Sequence, residues 1–420
     1  MTQPSNLDIA VVGGGVAGIV AAYLLDRRHR VTLYEKNDSV GGHTHTRVVQ
    51  DGDGKQTPVD TGFIVFNDRT YPNFIKFIGQ LGVDCQQSPM SFSYSDSRTG
   101  FTYASSAPFA DPKNRLRPSF WHFLFEIMRF NRLTRRLLKS GGLAGLSLDQ
   151  YLKKYRFSDR FAERYILPMG AAIWSTADRD MRQFPAETFA RFFENHGLLT
   201  LRDHPQWYTI TGGSHEYVKA FLNGFGGRVF AGAPVRRVAR QNGRVRIQTD
   251  DGEAEYDRVV IASHADEALA MLENPRDLEA DLLSAWRYTE NRVLLHRDAA
   301  CLPPFKKARA AWNYLREADD ADQPVLTMTY YMNRLQQLNT VDDFCVTLNP
   351  QRPLAPEKVI ANIDYAHPLF NDAAVATQAN LDRLNDQDDI FYCGSYFRYG
   401  FHEDAVVSAV NVGKRFGIDL

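Results

Sequence analysis

Apolar and polar positions near the start of the chain follow the order of a strand, a turn, a helix and a second strand. Residues 8–12 (DIAVV) are short, apolar and rich in β-branched side chains, as in a buried parallel strand. Glycines follow at once, and the run IVAAYLLDRR after them is helical in composition. A second apolar segment, Arg30 to Tyr34, completes the unit. The pattern predicts that the chain opens with a strand–helix–strand unit.

A longer amphipathic segment occupies residues 120–139 (FWHFLFEIMRFNRLTRRLLK). Ser119 is a good N-cap and Gly141 a good terminator, so a helix is predicted. The apolar face comprises Phe120, Phe123, Leu124, Ile127 and Leu138, and the cationic face comprises Arg129, Arg132 and Arg136. Such a helix either rests on an anionic membrane surface or packs on the rest of the protein with solvated arginines. The pattern leaves both interpretations open.

The composition is that of a globular protein of more than one domain. Of the 420 residues, 44% are apolar and 24% are charged, and the net charge of -1 gives no overall attraction to nucleic acid. The four cysteines lie far apart, which argues against a disulfide framework or a zinc site. No apolar stretch approaches about 18 residues, and the N-terminus does not have the pattern of a signal peptide. We therefore expect a cytoplasmic protein.

The glycine spacing in the first unit carries a specific chemical prediction. Gly13 permits a tight turn, Gly15 lets a pyrophosphate approach the backbone, and Gly18 lets the helix pack closely on the strand. Glu35 follows the second strand, where an acidic residue bonds ribose hydroxyls. The helix N-terminus presents free N–H groups to the phosphates. The unit predicts a dinucleotide site and leaves NAD and FAD open.

The segment after Glu35 resembles a flavin-binding pattern. Residues 40–46 (VGGHTHT) are similar to the Gly-Gly-Arg-x-x-(Ser/Thr) element of the flavin amine oxidase superfamily, which includes monoamine and polyamine oxidases, protoporphyrinogen oxidase and carotenoid desaturases. Further likenesses follow in order at 59–62 (VDTG), 212–214 (GGS), 234–235 (PV), 256–262 (YDRVVIA), 392–395 (YCGS) and 400–405 (GFHEDA). The resemblance implies FAD, bound noncovalently.

The resemblance also implies an architecture. The expected fold class is α/β, with a Rossmann-type FAD-binding domain and a discontinuous α+β substrate domain of the amine oxidase kind. The FAD-binding domain would comprise residues 1–70, 207–265 and 385–420. The substrate domain would comprise residues 71–206 and 266–384.

The cofactor contacts are implied residue by residue. They are Gly13, Gly15, Val16, Ala17, Gly18, Glu35, Lys36, Gly42, His43, Thr44, Thr61, Gly62, Val235, Gly394, Ser395, His402 and Ala405. Three positions depart from the family pattern. His43 replaces an arginine, Ser395 replaces an acid that bonds the ribityl chain, and Asp404 replaces a small residue. Because Asp404 would bring a negative charge near the flavin ring, the departures concern the flavin potential rather than flavin binding.

Catalytic candidates lie in the last motif. Phe401 stands where some amine oxidases place an aromatic wall, and His402 and Glu403 could touch the flavin or a substrate proton. An equally good interpretation of the last two is capping of the helix that they begin. His43 and His45 alternate as in a strand, so no shared metal is expected. Since an obvious general base is missing, direct hydride transfer to flavin N5 is favoured.

Two segments are similar to a bacterial subgroup of the superfamily that modifies membrane fatty acids, namely residues 330–336 (YYMNRLQ) and 399–404 (YGFHED). In that subgroup the flavoproteins accompany methyltransferases and desaturate methylated acyl chains, as in furan fatty acid synthesis. The resemblance implies an apolar lipid or fatty acyl substrate and agrees with a peripheral membrane contact through 120–139. Two alternatives stay open: oxidation of an amine or another small molecule, and a flavin-binding redox module without turnover. No motif indicates the electron acceptor.

Overall fold

A parallel sheet forms around the first strand in the computed structural model, which describes residues 6–174, 178–200, 204–318, 324–350, 353–386 and 389–420. Residues 1–5, which precede the predicted first strand, lie outside the described residues. The strands are β1 Asp8–Val12, β2 Arg30–Tyr34, β3 Thr46–Gln50, β4 Gln56–Asp60, β5 Phe66–Asn67, β6 Cys85–Gln87, β7 Phe92–Asp96, β8 Phe101–Ala104, β9 Trp207–Ile210, β10 Arg228–Phe230, β11 Val235–Gln241, β12 Arg244–Thr249, β13 Gly252–Tyr256, β14 Arg258–Ile261, β15 Tyr288–His296, β16 Trp312–Ala318, β17 Pro324–Tyr331, β18 Cys345–Leu348, β19 Val359–Pro368 and β20 Ile390–Tyr392.

Helices connect these strands and cover the sheets. They are α1 Val16–Leu25, α2 Pro72–Gln80, α3 Pro118–Ser140, α4 Leu148–Lys154, α5 Asp159–Phe161, α6 Leu167–Trp174, α7 Asp178–Gln183, α8 Ala186–Asn195, α9 His215–Gly224, α10 Ala265–Met271, α11 Asp277–Leu283, α12 Met332–Leu335, α13 Asp372–Thr377 and α14 His402–Arg415. A π-helical turn spans Ala162–Ile166, and 3-10 turns span Pro112–Leu116, Ala299–Cys301, Lys306–Ala308, Pro356–Lys358, Gln378–Asp386 and Ser395–Phe397.

The parallel sheet has the strand order β10-β2-β1-β14-β20. Strand β1 is central and covered on both faces, which is why its sequence is apolar throughout. Ile9 and Val11 pack toward helices α1 and α14, whereas Ala10 and Val12 pack toward α10 and α11. The predicted strand–helix–strand unit is thus present, and its glycine turn lies at the carboxyl end of β1.

A second, seven-stranded sheet has the order β19-β15-β18-β17-β16-β7-β8. Its neighbouring strands are antiparallel except for β16 and β7, which are parallel. Its buried side chains share an aromatic-rich core with helices α3 to α8. The predicted α/β class is confirmed by this combination of a parallel and a mixed sheet. The domain boundaries stay a prediction, although each sheet gathers strands from separate stretches of the chain.

Helix α3 differs from the sequence-based expectation in its start and agrees in its end. The helix begins at Pro118 after Arg117 in the N-cap position, so the prediction of Ser119 as N-cap is wrong. Proline suits the first position because its missing N–H has no helical partner there. Gly141 ends the helix with a φ of +70°. No helix that the structure describes is long and apolar enough to cross a bilayer.

The predicted apolar face of α3 packs inward. Phe120, Phe123 and Ile127 are buried, and Leu124 and Leu138 are partly buried against the same core. Burial of this face is what an ordinary packed helix requires. The opposite side of α3, which includes Trp121, Phe125 and Met128, is exposed to solvent.

Candidate active site

The turn between β1 and α1 brings Gly13 and Gly15 to the edge of a large cavity, and Gly18 follows in the first turn of α1. Gly13 has a φ of +105°, a conformation that favours glycine, and its N–H donates to the carbonyl of Tyr34 at 2.8 Å. A Cβ on Gly15 would meet nothing within 4 Å. A Cβ on Gly18 would stand 1.8 Å from the carbonyl oxygen of Gly13. Gly15 therefore faces open space, whereas Gly18 allows the helix to pack on the turn.

Glu35 directs its carboxylate to the same turn. Oε2 accepts a hydrogen bond from the N–H of Gly14 at 2.7 Å, and Oε1 accepts two from Asn37 at 2.9 and 2.8 Å. Because Oε2 keeps a second lone pair, the buried carboxylate can still accept a bond from a ribose hydroxyl. The neighbouring Lys36 pairs with Glu267 at 2.5 Å, on the exposed rim of the cavity.

The cavity has a volume of about 1430 Å³. This exceeds the roughly 300–1,000 Å³ of an ordinary ligand pocket, so it has room for more than one molecule. Most of the predicted cofactor residues line it: Gly13, Gly15, Val16, Ala17, Glu35, Lys36, Gly42, His43, Thr61, Gly62, Val235, Gly394, Ser395, His402 and Ala405. Gly18 and Thr44 are not part of the wall; the hydroxyl of Thr44 lies behind it, 2.5 Å from that of Tyr217.

His43 and Gly62 stand on two segments that pack tightly together. A Cβ on Gly62 would lie 2.1 Å from the carbonyl oxygen of His43, and Thr61 Oγ1 lies 2.6 Å from Nδ1 of His45. The expectation that the two histidines alternate along a strand is wrong, since β3 begins only at Thr46. His43 instead occupies a turn and lines the cavity, while His45 is held by the neighbouring segment.

Three histidines from distant parts of the chain meet at the cavity wall. The ring of His43 lies 5.2 Å from that of His367 and 6.4 Å from that of His264. Burial lowers the pKa of all three, to about 4 for His367. The buried Nε2 of His43 has no hydrogen-bond partner among the described residues. His43 therefore puts a neutral imidazole where the family pattern has an arginine, and the Nε2 of this imidazole has no hydrogen-bond partner among the described residues.

Phe401 and His402 bring the last motif to the wall. The ring of Phe401 stacks on Phe192 with centroids 5.0 Å apart, and the ring of His402 stacks on Phe63 at 3.7 Å. Nε2 of His402 lies 3.0 Å from the hydroxyl of Tyr217. Burial lowers the pKa of His402 to about 3, so the ring is neutral at physiological pH. Both side chains are placed to contact a bound molecule.

The two acids that follow lie outside the described cavity wall. Glu403 accepts hydrogen bonds from the side-chain amide of Asn73 at 2.7 Å and from the N–H of Phe74 at 2.9 Å, at the start of α2. Asp404 accepts two backbone N–H groups of the loop before α14, and burial raises its pKa to about 6. Glu403 thereby caps a neighbouring helix and Asp404 its own helix, and we assign neither a contact with reacting atoms.

Beyond the glycine turn the cavity continues between the seven-stranded sheet and helices α3, α6 and α8. Most of the wall there is aromatic and aliphatic, and its buried polar members include Ser88, Ser91, Asn131 and His196. The apolar members are Met90, Phe92, Ile127, Tyr165, Met169, Ile173, Trp174, Phe192, Val293, Trp312, Tyr330, Val346 and Leu348. The carboxylates among the described wall residues are Glu35 and Glu267 at the nucleotide end and the exposed Asp364 on β19. This substrate end of the cavity is therefore mainly apolar, and no buried carboxylate of the described wall faces it.

His196 lines the cavity and was not selected from the sequence. Its Nδ1 lies 2.9 Å from the carbonyl oxygen of Phe192, which makes Nδ1 the donor and leaves Nε2, 3.3 Å from the hydroxyl of Thr70, as an acceptor. Burial lowers the pKa of His196 to about 4, so the ring is neutral. Its surroundings in the sequence match no motif, and only the fold places it near the ring of Phe401, 6.1 Å away.

Asp60 ties together several segments behind the wall. Its Oδ1 accepts hydrogen bonds from the hydroxyl of Thr46 at 2.6 Å and from the N–H and hydroxyl of Ser214 at 2.8 and 2.9 Å. Its Oδ2 accepts one from the amide of Gln336 at 3.1 Å. Burial raises the pKa of Asp60 to about 7 despite these donors. The sequence offered a signal for this residue in the VDTG motif, but not its partners.

These features fit FAD. Open space lies beside Gly15 at the N-terminus of α1, where a pyrophosphate binds. Glu35 retains a lone pair for a ribose hydroxyl, and His43 lines the cavity while its buried Nε2 has no hydrogen-bond partner among the described residues. From there the cavity runs along Gly394, Ser395, Phe401 and His402 and continues into the substrate end.

Comparison with known proteins agrees with this assignment. The family model described as flavin containing amine oxidoreductase matches residues 16–294. The protein AofH of Mycobacterium tuberculosis, which bears the name of a flavin-containing monoamine oxidase, is 26% identical over 273 residues, or 62% of this chain and 57% of that protein. The chain thus spans little more than half of that relative's length.

Solved structures share the fold over nearly the whole chain. A CLA-producing fatty acid isomerase from P. acnes has a TM-score of 0.69 at 16% identity, covering 99% of both chains. A putrescine oxidase variant has a TM-score of 0.70 at 14% identity, covering 98% of this chain and 99% of that one. At such identities the likeness establishes the fold alone. With the family match over more than half of its length, the chain belongs to the flavin containing amine oxidoreductase family.

Proposed function

We propose that the chain desaturates a methylated or unsaturated fatty acyl group, with transfer of a hydride to flavin N5. The observation that carries the proposal is the apolar substrate end of the cavity, whose described wall contains aromatic and aliphatic side chains and no buried carboxylate. An ammonium group buried there would lack a charged partner, which is costly, whereas an acyl chain would gain from burial. The likeness of fold to a fatty acid isomerase agrees with such a substrate.

The residues of this chain would act by binding, orientation and exclusion of water. Bound FAD supplies a two-electron acceptor that takes a hydride from a C–H bond held over its face. Formation of the double bond also releases a proton from the adjacent carbon. We assign the acceptance of this proton to Nε2 of His196, which lies in the wall beside Phe401 and 3.3 Å from the hydroxyl of Thr70. Burial lowers the pKa of His196 to about 4, so the ring is an unprotonated but weak base. Phe401 would hold the acyl group of the substrate against the face of the flavin.

The test is anaerobic reduction of the bound flavin by methyl-branched acyl lipids, with simple amines as the competing substrates. We expect the flavin absorbance to bleach with the lipids and not with the amines. His196→Gln should slow this bleaching by about 100-fold or more, since loss of a proton acceptor has effects of that order. His204→Gln, at an exposed histidine of the cavity wall, is the matched control and should bleach at the parent rate.

Oxidation of an amine is the second candidate. The name of AofH and the likeness of fold to putrescine oxidase favour it. It would be supported by bleaching with amines alone and by release of hydrogen peroxide in air. Bleaching by neither class of compound would leave the flavin-binding redox module, and would contradict both enzymatic proposals.

The lipid substrate suggests where the chain works. An acyl chain in a bilayer is reached most directly by a protein bound at its surface. Within residues 120–139 the predicted apolar face is buried, but Trp121, Phe125 and Met128 on the other side are exposed and available for such a contact. We therefore propose peripheral attachment at the inner face of the membrane.

A further inference from the structure

Four large apolar side chains stand in solvent on or beside helix α3. Leu116 in the turn before the helix is 87% exposed, and Trp121, Phe125 and Met128 are 52%, 56% and 47% exposed. The last three are spaced by four and three residues, so they share one side of the helix. This side is opposite the apolar face that the sequence pattern emphasised, which is buried. Helix α3 is thus apolar on two sides, and only one of them is covered by the described protein.

Cations continue the same outer side toward the C-terminus of the helix. Arg132, Arg136 and Lys139 are exposed, and they form no ion pair with any described residue. Arg135 differs, since it pairs with Glu194 at 3.2 Å. The acid within α3, Glu126, is buried and accepts two hydrogen bonds from Ser158. The exposed side of α3 therefore combines apolar and positive groups with no exposed carboxylate of its own.

Further cations flank the apolar group from the preceding turn. Lys113 and Arg115 are exposed there, and Trp121 donates its indole N–H to the carbonyl of Arg115 at 3.0 Å. We define the docking face as Leu116, Trp121, Phe125, Met128, Arg132 and Arg136. Aromatic and aliphatic groups bordered by lysine and arginine are the composition of a surface that inserts into the boundary of an anionic bilayer. A second copy of the chain would instead oppose one cationic surface with another, which is repulsive.

The cavity reaches the surface beside the docking face. Ile127 and Asn131 on the buried side of α3 line the cavity, so one helix separates the docking face from the substrate end. Ser105 and Ser106 are exposed and also line the cavity, which marks an opening at the end of β8. Phe109 in the same loop packs on Trp121, with ring centroids 5.3 Å apart. The loop at this opening is thus in contact with the docking face.

We infer that the docking face seats the protein on an anionic lipid bilayer, so that the opening at Ser105 and Ser106 meets the lipid and admits an acyl chain. The admission of substrate rests on the proposed function, whereas the docking itself rests on exposure and charge alone. The occupant is a bilayer with anionic headgroups, because insertion of the aromatic residues and attraction of the cations would then act together.

The experiment is flotation of the full-length, FAD-loaded protein with vesicles of phosphatidylcholine alone and of phosphatidylcholine with phosphatidylglycerol. We expect flotation with the mixed vesicles only, weakened by added salt. Arg132→Gln with Arg136→Gln should weaken binding about fivefold for each charge removed. Trp121→Ser with Phe125→Ser should weaken it by more than about tenfold, because two aromatic groups lose their burial in lipid.

Matched controls lie elsewhere on the surface. Arg28→Gln with Lys76→Gln removes two exposed cations next to the parallel sheet, and Val341→Ser alters an exposed apolar residue, so both should bind as the parent does. Retained flavin absorbance in every variant establishes that it is folded. The inference is overturned if the parent stays unbound with anionic vesicles, if the docking-face variants bind as tightly as the parent, or if Trp121→Ser with Phe125→Ser instead dissociates a dimer in solution.

The outcomes also separate docking from chemistry. Vesicle binding without bleaching of the flavin by lipid would support membrane binding through the docking face and contradict the proposal of an acyl substrate. Bleaching by detergent-dispersed lipid without vesicle binding would support the proposal of an acyl substrate and contradict membrane binding through the docking face.

Discussion

At the scale of single residues, Gly15 and Gly18 illustrate two different demands on glycine within one turn. The backbone of Gly15 has a φ of −72°, which any residue can adopt, and a Cβ there would stand in open space. Gly18 has no such space, since its Cβ would overlap the carbonyl oxygen of Gly13. One position is therefore reserved for a ligand and the other for packing.

Substitution of these two glycines should separate cofactor binding from folding. Gly15→Ala is expected to fold normally and to lose FAD, by about tenfold or more in affinity, because the methyl group takes the space of the pyrophosphate. Gly18→Ala should lower the free energy of unfolding by about 1–3 kcal/mol or more through overpacking. The ratio of flavin to protein absorbance and thermal unfolding of the apoprotein measure the two effects. Full retention of FAD by Gly15→Ala would contradict the assignment.

Residue roles set by local sequence could be predicted, and roles set by distant partners could not. The glycine turn and Glu35 lie within one strand–helix–strand unit, so their spacing alone indicates the chemistry. Glu403 bonds the start of α2, about 330 residues earlier in the chain, and no local pattern reveals such a partner. His196 was missed for the same reason, because its neighbours at the cavity wall come from other segments.

At the scale of elements, Asp60 holds the end of β4 to β3, to the loop before α9 and to the residue after α12. Asp60→Ala would leave the buried donors of Ser214 and Gln336, and the partly buried hydroxyl of Thr46, without their acceptor. We expect the free energy of unfolding to fall by about 3 kcal/mol or more, and FAD to be released more easily, since Thr61 and Gly62 follow directly.

Urea unfolding and flavin release would measure both effects of Asp60→Ala. Asp53→Ala, in the exposed turn between β3 and β4, is the matched control and should change stability by less than about 0.5 kcal/mol. Equal stability of the two variants would show that the four hydrogen bonds to Asp60 contribute nothing to the fold.

Helix α3 shows which properties of an element follow from periodicity. The spacing of Phe120, Phe123 and Ile127 predicted the buried face, and Gly141 predicted the end. The exposed apolar positions Trp121, Phe125 and Met128 could not be distinguished from the buried ones, because a sequence pattern shows which side chains are hydrophobic but not which of them another segment covers. The start was misplaced by two residues, where proline at the first position took precedence over a serine N-cap.

At the scale of the whole molecule, the buried neutral histidines should make the protein sensitive to acid. Burial lowers the pKa from 6.5 to about 4 for His196 and His367, and to about 3 for His402. Between pH 6.5 and 4 the unfolded chain binds protons that the folded chain does not, so the free energy of unfolding falls as the pH falls. The raised pKa values of Asp60, Glu403 and Asp404 act in the opposite direction, but they are fewer than the seven described histidines whose pKa is lowered, which are His29, His43, His45, His196, His264, His367 and His402.

We therefore expect stability, measured by urea unfolding, to decline from pH 6.5 to pH 4. His402→Phe keeps an aromatic ring against Phe63 and removes one of the histidines whose pKa is lowered. The slope of the unfolding free energy against pH should therefore fall by the amount that corresponds to about one proton. A stability that is constant or rises over this interval would contradict the neutral state of these histidines.

The architecture as a whole was predictable in class but not in detail. The ordered motifs indicated an α/β protein with a nucleotide-binding sheet, and strands from 8–34, 228–261 and 390–392 form that sheet. The order and direction of the strands in the seven-stranded sheet, including the parallel pair β7 and β16, could not be deduced, because pairing between distant strands leaves little trace in either sequence.

The placement of β20 and α14 has a consequence for how the protein is made. Strand β20 is an edge of the parallel sheet, and the segment after it supplies Gly394, Ser395 and His402 to a cavity begun by Gly13. During synthesis the first strand leaves the ribosome hundreds of residues before its cofactor site can close. A nascent or truncated chain that lacks residues 394–405 thus has only part of the FAD site, so retention of the yellow colour shows that this segment has been made and has folded into place.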